Sequence, residues 1–107
     1  MNMQRLTSRA GMAADLLRSL ANEKRLVILC QLYGGERSVG ELEKIVGISQ
    51  SALSQHLAKL RVAGVVTTRR EAQTIYYSLS DPGAERVIGV LYERFCGPGR
   101  TSARAKA

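Results

Sequence analysis

The stretch from Ser49 to Arg61 concentrates short hydrogen-bonding side chains: Gln50, Ser51, Ser54, Gln55 and His56, with Lys59 and Arg61 behind them. Leu53, Leu57 and Leu60 recur among them at spacings of four and three. On a helix that spacing gathers the leucines on one narrow face and leaves the amides and hydroxyls on the other. An ordinary solvated helix face more often carries Glu and Lys four residues apart. Amides and hydroxyls near a helix N-terminus suit base-pair edges in the major groove, where Gln pairs with adenine and Ser reaches several bases. Other reactive chemistry is sparse. Cys30 and Cys96 are the only thiols and His56 is the only imidazole. The sequence marks no Cys/His dyad, phosphate-binding glycine loop or acidic cluster, so an enzyme is a poor fit.

A reading helix needs elements that hold it. Gly47-Ile48 joins it to a short helix expected over Glu41 to Val46, started by the capping-box pattern Ser38-Val-Gly-Glu41. The glycine makes the sharp turn of a helix-turn-helix, and Ile48 plugs the angle between the two helices. Upstream, Met12, Leu16, Leu17 and Leu20 form one helical stripe. Asn22 then caps a second helix, whose Leu26, Val27, Leu29, Cys30 and Tyr33 are expected to face the core before Gly34-Gly35 ends it. Past Gly64, the β-branched and aromatic segments Val65 to Glu71 and Thr74 to Leu79 flank Ala72-Gln73 as a hairpin. Ser80-Asp81-Pro82 opens a last helix carrying Val87, Ile88, Leu91, Tyr92, Phe95 and Cys96. The order α-α-α-α-β-β-α describes a mainly α fold with a β-hairpin wing: a winged helix-turn-helix.

A chain of 107 residues fits one small domain with a thin core, and dimerisation would add buried area to it. Residues 1–11 are expected to be a flexible N-terminus, 12–96 the DNA-binding and dimerisation domain, and 97–107 a disordered basic tail. Sixteen Lys and Arg against nine Asp and Glu leave a net charge of +7, which favours a polyanionic partner. Residues 49–80 contain four cations and one acid, Glu71. Arg69, Arg70, Gln73 and Thr74 suit a wing that grips phosphate or the adjacent minor groove; the plainer reading of the arginines is a solvated edge that discourages aggregation. No apolar run approaches the roughly 18 to 20 residues that span a bilayer, and the polar start lacks the apolar middle of a signal peptide. A cytoplasmic protein with no membrane partner and no cofactor is expected, its cysteines reduced at rest.

Four runs carry a resemblance: Leu-Ala-Asn-Glu-Lys-Arg-Leu (20–26), Ser-Val-Gly-Glu-Leu (38–42), Ser-Gln-Ser-Ala-Leu-Ser-Gln-His-Leu-Ala-Lys-Leu-Arg (49–61) and Arg-Arg-Glu-Ala-Gln-Thr-Ile-Tyr-Tyr-Ser-Leu (69–79). Together they resemble the ArsR/SmtB family of small dimeric winged-helix repressors, over most of residues 12–96. The resemblance implies a dimer interface built from the first and last helices, here Met12, Leu16 and Leu17 with Val87, Ile88, Leu91, Tyr92 and Phe95. Many members of the family bind metal through Cys-x-Cys at the start of the third helix. This chain has Ser38-Val39-Gly40 there. Others use Asp and His on the last helix, whereas His56 lies on the reading helix, so no metal site of the usual kind is expected.

By spacing alone, Cys30 and Cys96 read first as small hydrophobes packed into helices. The resemblance adds a second reading. Their placement, with Phe95 directly before Cys96, is similar to the thiol-sensing branch of the family, of the BigR, SqrR and HlyU type, in which two cysteines of one subunit are cross-linked by persulfide or oxidant. It implies a homodimeric repressor of a palindromic DNA operator. A small-molecule sulfur or oxidant inducer would release it by joining Cys30 and Cys96 through a disulfide or polysulfide. Two alternatives stay open: a thiol-independent regulator or anti-repressor with structural cysteines, and a soft-metal sensor in which two thiolates bind arsenite or Cu(I) with incomplete coordination.

Overall fold

A computed structural model describes residues 2–97. The elements in chain order are α1 (Met3–Leu20), α2 (Glu23–Tyr33), β1 (Arg37–Ser38), α3 (Val39–Val46), α4 (Gln50–Val62), β2 (Val66–Glu71), β3 (Thr74–Leu79) and α5 (Pro82–Cys96). Side-chain caps start the helices. The Asn22 side chain accepts from the backbone N–H groups of Lys24 and Arg25, Ser49 from Ala52, and Asp81 from Ala84. Ser38 and Glu41 form a reciprocal capping box on α3. Each such cap satisfies a donor the helix leaves orphaned, typically worth about 1 kcal/mol.

One apolar cluster joins the elements: Leu20, Ile28, Leu29, Leu32, Leu42, Val46, Leu53, Leu57, Leu60, Val65, Val66, Ala84 and Ile88 are buried. The sheet is antiparallel in the order β1-β3-β2. Arg69 pairs with Tyr76 and Arg70 with Ile75, while Arg37 lies opposite Tyr77. Among the described residues no helix is long and apolar enough to cross a membrane.

Four expectations need correction. The N-terminus is not loose: α1 begins at Met3, where the Asn2 side chain accepts from the Arg5 N–H at 3.0 Å. Its polar residues include Gln and Arg, which favour helix as readily as apolar residues do. The buried face of α2 is Ile28, Leu29 and Leu32, with Cys30 and Leu26 half-buried and Val27 and Tyr33 exposed. Two apolar stripes overlap on α2, and packing against the other elements selects between them. Helix α3 starts at Val39, directly after its cap. Strand β1 was not anticipated, because two residues carry no periodicity. The expected basic tail lies, from residue 98 on, outside the described residues.

Candidate nucleic-acid interface and thiol pair

Gly47 closes α3 in the left-handed region at φ 71°, and its N–H donates to the Glu43 carbonyl. A residue with a Cβ pays strain there, so glycine lets the chain swing into α4. Leu53, Leu57 and Leu60 anchor α4 in the core, leaving Gln50, Ser51, Ser54, Gln55, Lys59 and Arg61 exposed. Helical spacing aligns Ser51, Gln55, Ala58 and Val62 along the side opposite the leucines. This outward row is polar in its first half and apolar in its second, where Val62 is 90% exposed.

His56 stands apart from that row. It is half-buried on the flank of α4, with Nδ1 3.5 Å from the Arg25 guanidinium. Arg25 also donates to the carbonyls of Ser19 (2.8 Å) and Arg18 (3.3 Å), strapping the end of α1 to α4. Burial, then the charges of Arg25 and Lys59, push the imidazole below its ordinary pKa. At neutral pH His56 is therefore an uncharged ring.

On the wing the two adjacent arginines diverge. Arg69 donates through Nε to Glu36 Oε2 at 3.2 Å and through Nη2 to Glu36 Oε1 at 2.5 Å. Its guanidinium also sits 4.5 Å from the centroid of Tyr76 and 3.7 Å from Glu71. The bond from Arg69 holds the Glu36 carboxyl below its usual value and raises the guanidinium in turn. Two of the N–H donors expected to grip phosphate from Arg69 are thus engaged by Glu36. Arg70, Gln73 and Thr74 are exposed, and none of them forms an ion pair or side-chain hydrogen bond among the described residues.

Helices α2 and α5 meet through Tyr33 and Tyr92, whose rings lie 5.3 Å apart at 36°. Gly89 permits this approach, since a Cβ there would stand 2.8 Å from the Tyr33 hydroxyl. One turn before Tyr33 is Cys30, half-buried against the core; one turn beyond Tyr92 is Cys96, exposed at the end of α5. Burial first, and then the charge of Cys96, raise the pKa of Cys30. Among the described residues no group of three or more His, Cys, Asp or Glu could hold a metal ion.

The stripes expected to pair two copies divide. Met12, Leu17 and Phe95 are exposed, and Leu16, Val87, Leu91 and Tyr92 are half-buried. Ile88 is fully buried in the chain's own core, which corrects its assignment to an intersubunit contact. Met3, Leu6 and Val90 add exposed apolar surface that the reading missed. Val90 follows Val87 by one turn and could have been found by extending that stripe. Leu17, Leu26, Val87 and Leu91 line an open apolar groove of about 250 Å³ between the two helices.

Residues 22–68 match the model of the bacterial regulatory protein, arsR family. The chain is 49% identical over 96 residues to the transcriptional activator HlyU of Vibrio cholerae, covering 90% of this chain and 89% of the relative. It is 50% identical over 93 residues to the biofilm growth-associated repressor of Agrobacterium fabrum, covering 87% and 80%. The solved structure of reduced HlyU from Vibrio cholerae superposes with a TM-score of 0.83 at 48% identity, covering 87% of this chain and 98% of that one.

Proposed function

The chain belongs to the arsR family of bacterial regulatory proteins, and on that premise we propose that it is a homodimer whose grip on a palindromic operator loosens when Cys30 and Cys96 are joined. Family membership makes it a DNA-binding transcriptional regulator, not an enzyme. Gln50, Ser51, Ser54 and Gln55 read base edges, while Lys59, Arg61, Arg70, Gln73 and Thr74 hold backbone. The exposed apolar residues of α1 and α5 pair the two copies, because a lone small domain rarely leaves so many uncovered.

The observation that supports the switch is the placement of a half-buried thiol on α2 and an exposed thiol at the end of α5, two helices that meet at Tyr33 and Tyr92. Cys96 meets the reagent first. Its thiolate takes the outer sulfur of an organic persulfide, giving a Cys96 persulfide and releasing the organic thiolate. Cys30, as thiolate, then attacks the inner sulfur of that persulfide; a Cys30–Cys96 disulfide forms and hydrosulfide leaves. Where Cys96 carries one sulfur more, as Cys96–S–S–SH, Cys30 attacks the middle sulfur; hydrosulfide again leaves and one sulfur is retained in the bridge. Fastening α2 to α5 shifts the helices that pair the copies. The two α4 helices then depart from the spacing of roughly 34 Å that successive major grooves demand.

Intact mass after treatment with glutathione persulfide tests this reading. A loss of two hydrogens, alone or together with a gain of whole sulfur atoms, is expected and is reversed by reductant; Cys30→Ser should keep its hydrogens and show only the sulfur gain of a Cys96 persulfide. An unchanged mass would overturn it in favour of structural cysteines, and a full loss of DNA binding by treated Cys30→Ser would overturn it in favour of a response that does not need the bridge.

A further inference from the structure

Between α4 and the wing runs a cleft of about 660 Å³, within the size range of small-molecule sites. Val39 at the start of α3, Val62 on α4, and Ile75 and Tyr77 on one face of β3 give it apolar walls. Arg61 is its one charged lining residue, with the Ser54 side chain nearby. Among the described residues no carboxylate pairs with Arg61. Arg70 lies directly across from Ile75, and so shares the cleft's face of the wing.

We infer that this cleft binds a small amphipathic carboxylate, its hydrocarbon body against the apolar walls and its head group on Arg61, and that the ligand competes with DNA. An unpaired guanidinium beside apolar surface complements an anion with an apolar body, and a carboxylate can accept two parallel N–H bonds from it. DNA phosphate offers nothing to cover Val62, whereas a hydrocarbon chain does. The competition rests on the DNA-reading role given to α4 above; the binding itself does not.

The test uses the full reduced chain with methyl-labelled Ile, Leu and Val, titrated with decanoate, decanol or decyltrimethylammonium. Saturable shifts at Val39, Val62 and Ile75 are expected for decanoate, with affinity about tenfold above that of the other two. Arg61→Gln should remove that advantage and leave decanol binding as it was. In parallel, fluorescence anisotropy on a DNA duplex should show apparent Kd rising with decanoate, and rising as far only at about tenfold higher concentrations of the other two compounds. Equal affinity for all three head groups, shifts confined to Leu17, Val87 and Leu91, or undiminished DNA affinity at saturating decanoate would overturn the inference. A chain that bound no DNA at all would refute the role of α4, and the methyl shifts would still decide the ligand.

Discussion

Arg69 and Arg70 are neighbours in sequence, yet replacing each by Gln should give different results. Each phosphate contact adds about 0.9 to the slope of log affinity against log salt on duplex DNA. Between 50 and 200 mM salt, one contact therefore contributes about a 3.5-fold change in affinity. Arg70 has no carboxylate partner, so Arg70→Gln should flatten the slope by about that 0.9. Arg69 is already held by two bonds to Glu36 and by the Tyr76 ring, so Arg69→Gln should leave the slope nearly unchanged. Glu36→Gln reverses the situation. It frees one cation on the wing, steepens the slope by about 0.9 and raises affinity for sequence-random DNA. Acid should not imitate it at pH 5, because Arg69 holds the Glu36 carboxyl below its ordinary 4.5. The assay is fluorescence anisotropy on a random duplex across a salt series. If Arg69→Gln flattens the slope as much as Arg70→Gln does, the clamp gives way on DNA and the reasoning fails.

Gly89→Ala gains about 1 kcal/mol of helix propensity but displaces a ring pair worth about as much. The melting temperature should hardly move, while near-ultraviolet tyrosine dichroism changes and Cys30–Cys96 bridging slows. The raised pKa of Cys30 predicts that bridge closure, followed by stopped-flow or quenched mass spectrometry, accelerates about tenfold per pH unit until that pKa is reached. A rate independent of pH would mean that Cys30 is not the closing nucleophile. For His56 the folded pKa is depressed, so the unfolded chain binds the proton more readily. Stability should fall as pH drops from the ordinary value of 6.5 toward the folded one and then level off. His56→Gln should remove that part of the denaturation profile.

What was legible in the sequence was local. The leucine spacing of α4, the caps at Asn22, Ser38 and Ser49, and the β-branched hairpin all depend on neighbours within a few residues, and each stands where the pattern put it. What escaped depended on distance along the chain. Glu36 reaches Arg69 across 33 residues, so nothing near the wing announced that one of its arginines was occupied. His56 falls on the helix bearing the other polar residues, and only the approach of Arg25 turns it from that set. Ile88 belongs to the same apolar stripe as Val87 and Leu91; which member points inward follows from how α5 sits on the core. The exposed polar residues of α4 were readable because its buried face is narrow, which leaves little choice about the other side.

The central claim couples a bond between Cys30 and Cys96 to release from DNA. The direct measurement is operator affinity, on a duplex selected from random sequence by the reduced protein, before and after glutathione persulfide, with intact mass recorded on the same samples. Bridged protein should bind the selected operator at least about tenfold more weakly, a change of about 1.4 kcal/mol, and reductant should restore binding. Full affinity in a sample whose mass shows the bridge complete would contradict it.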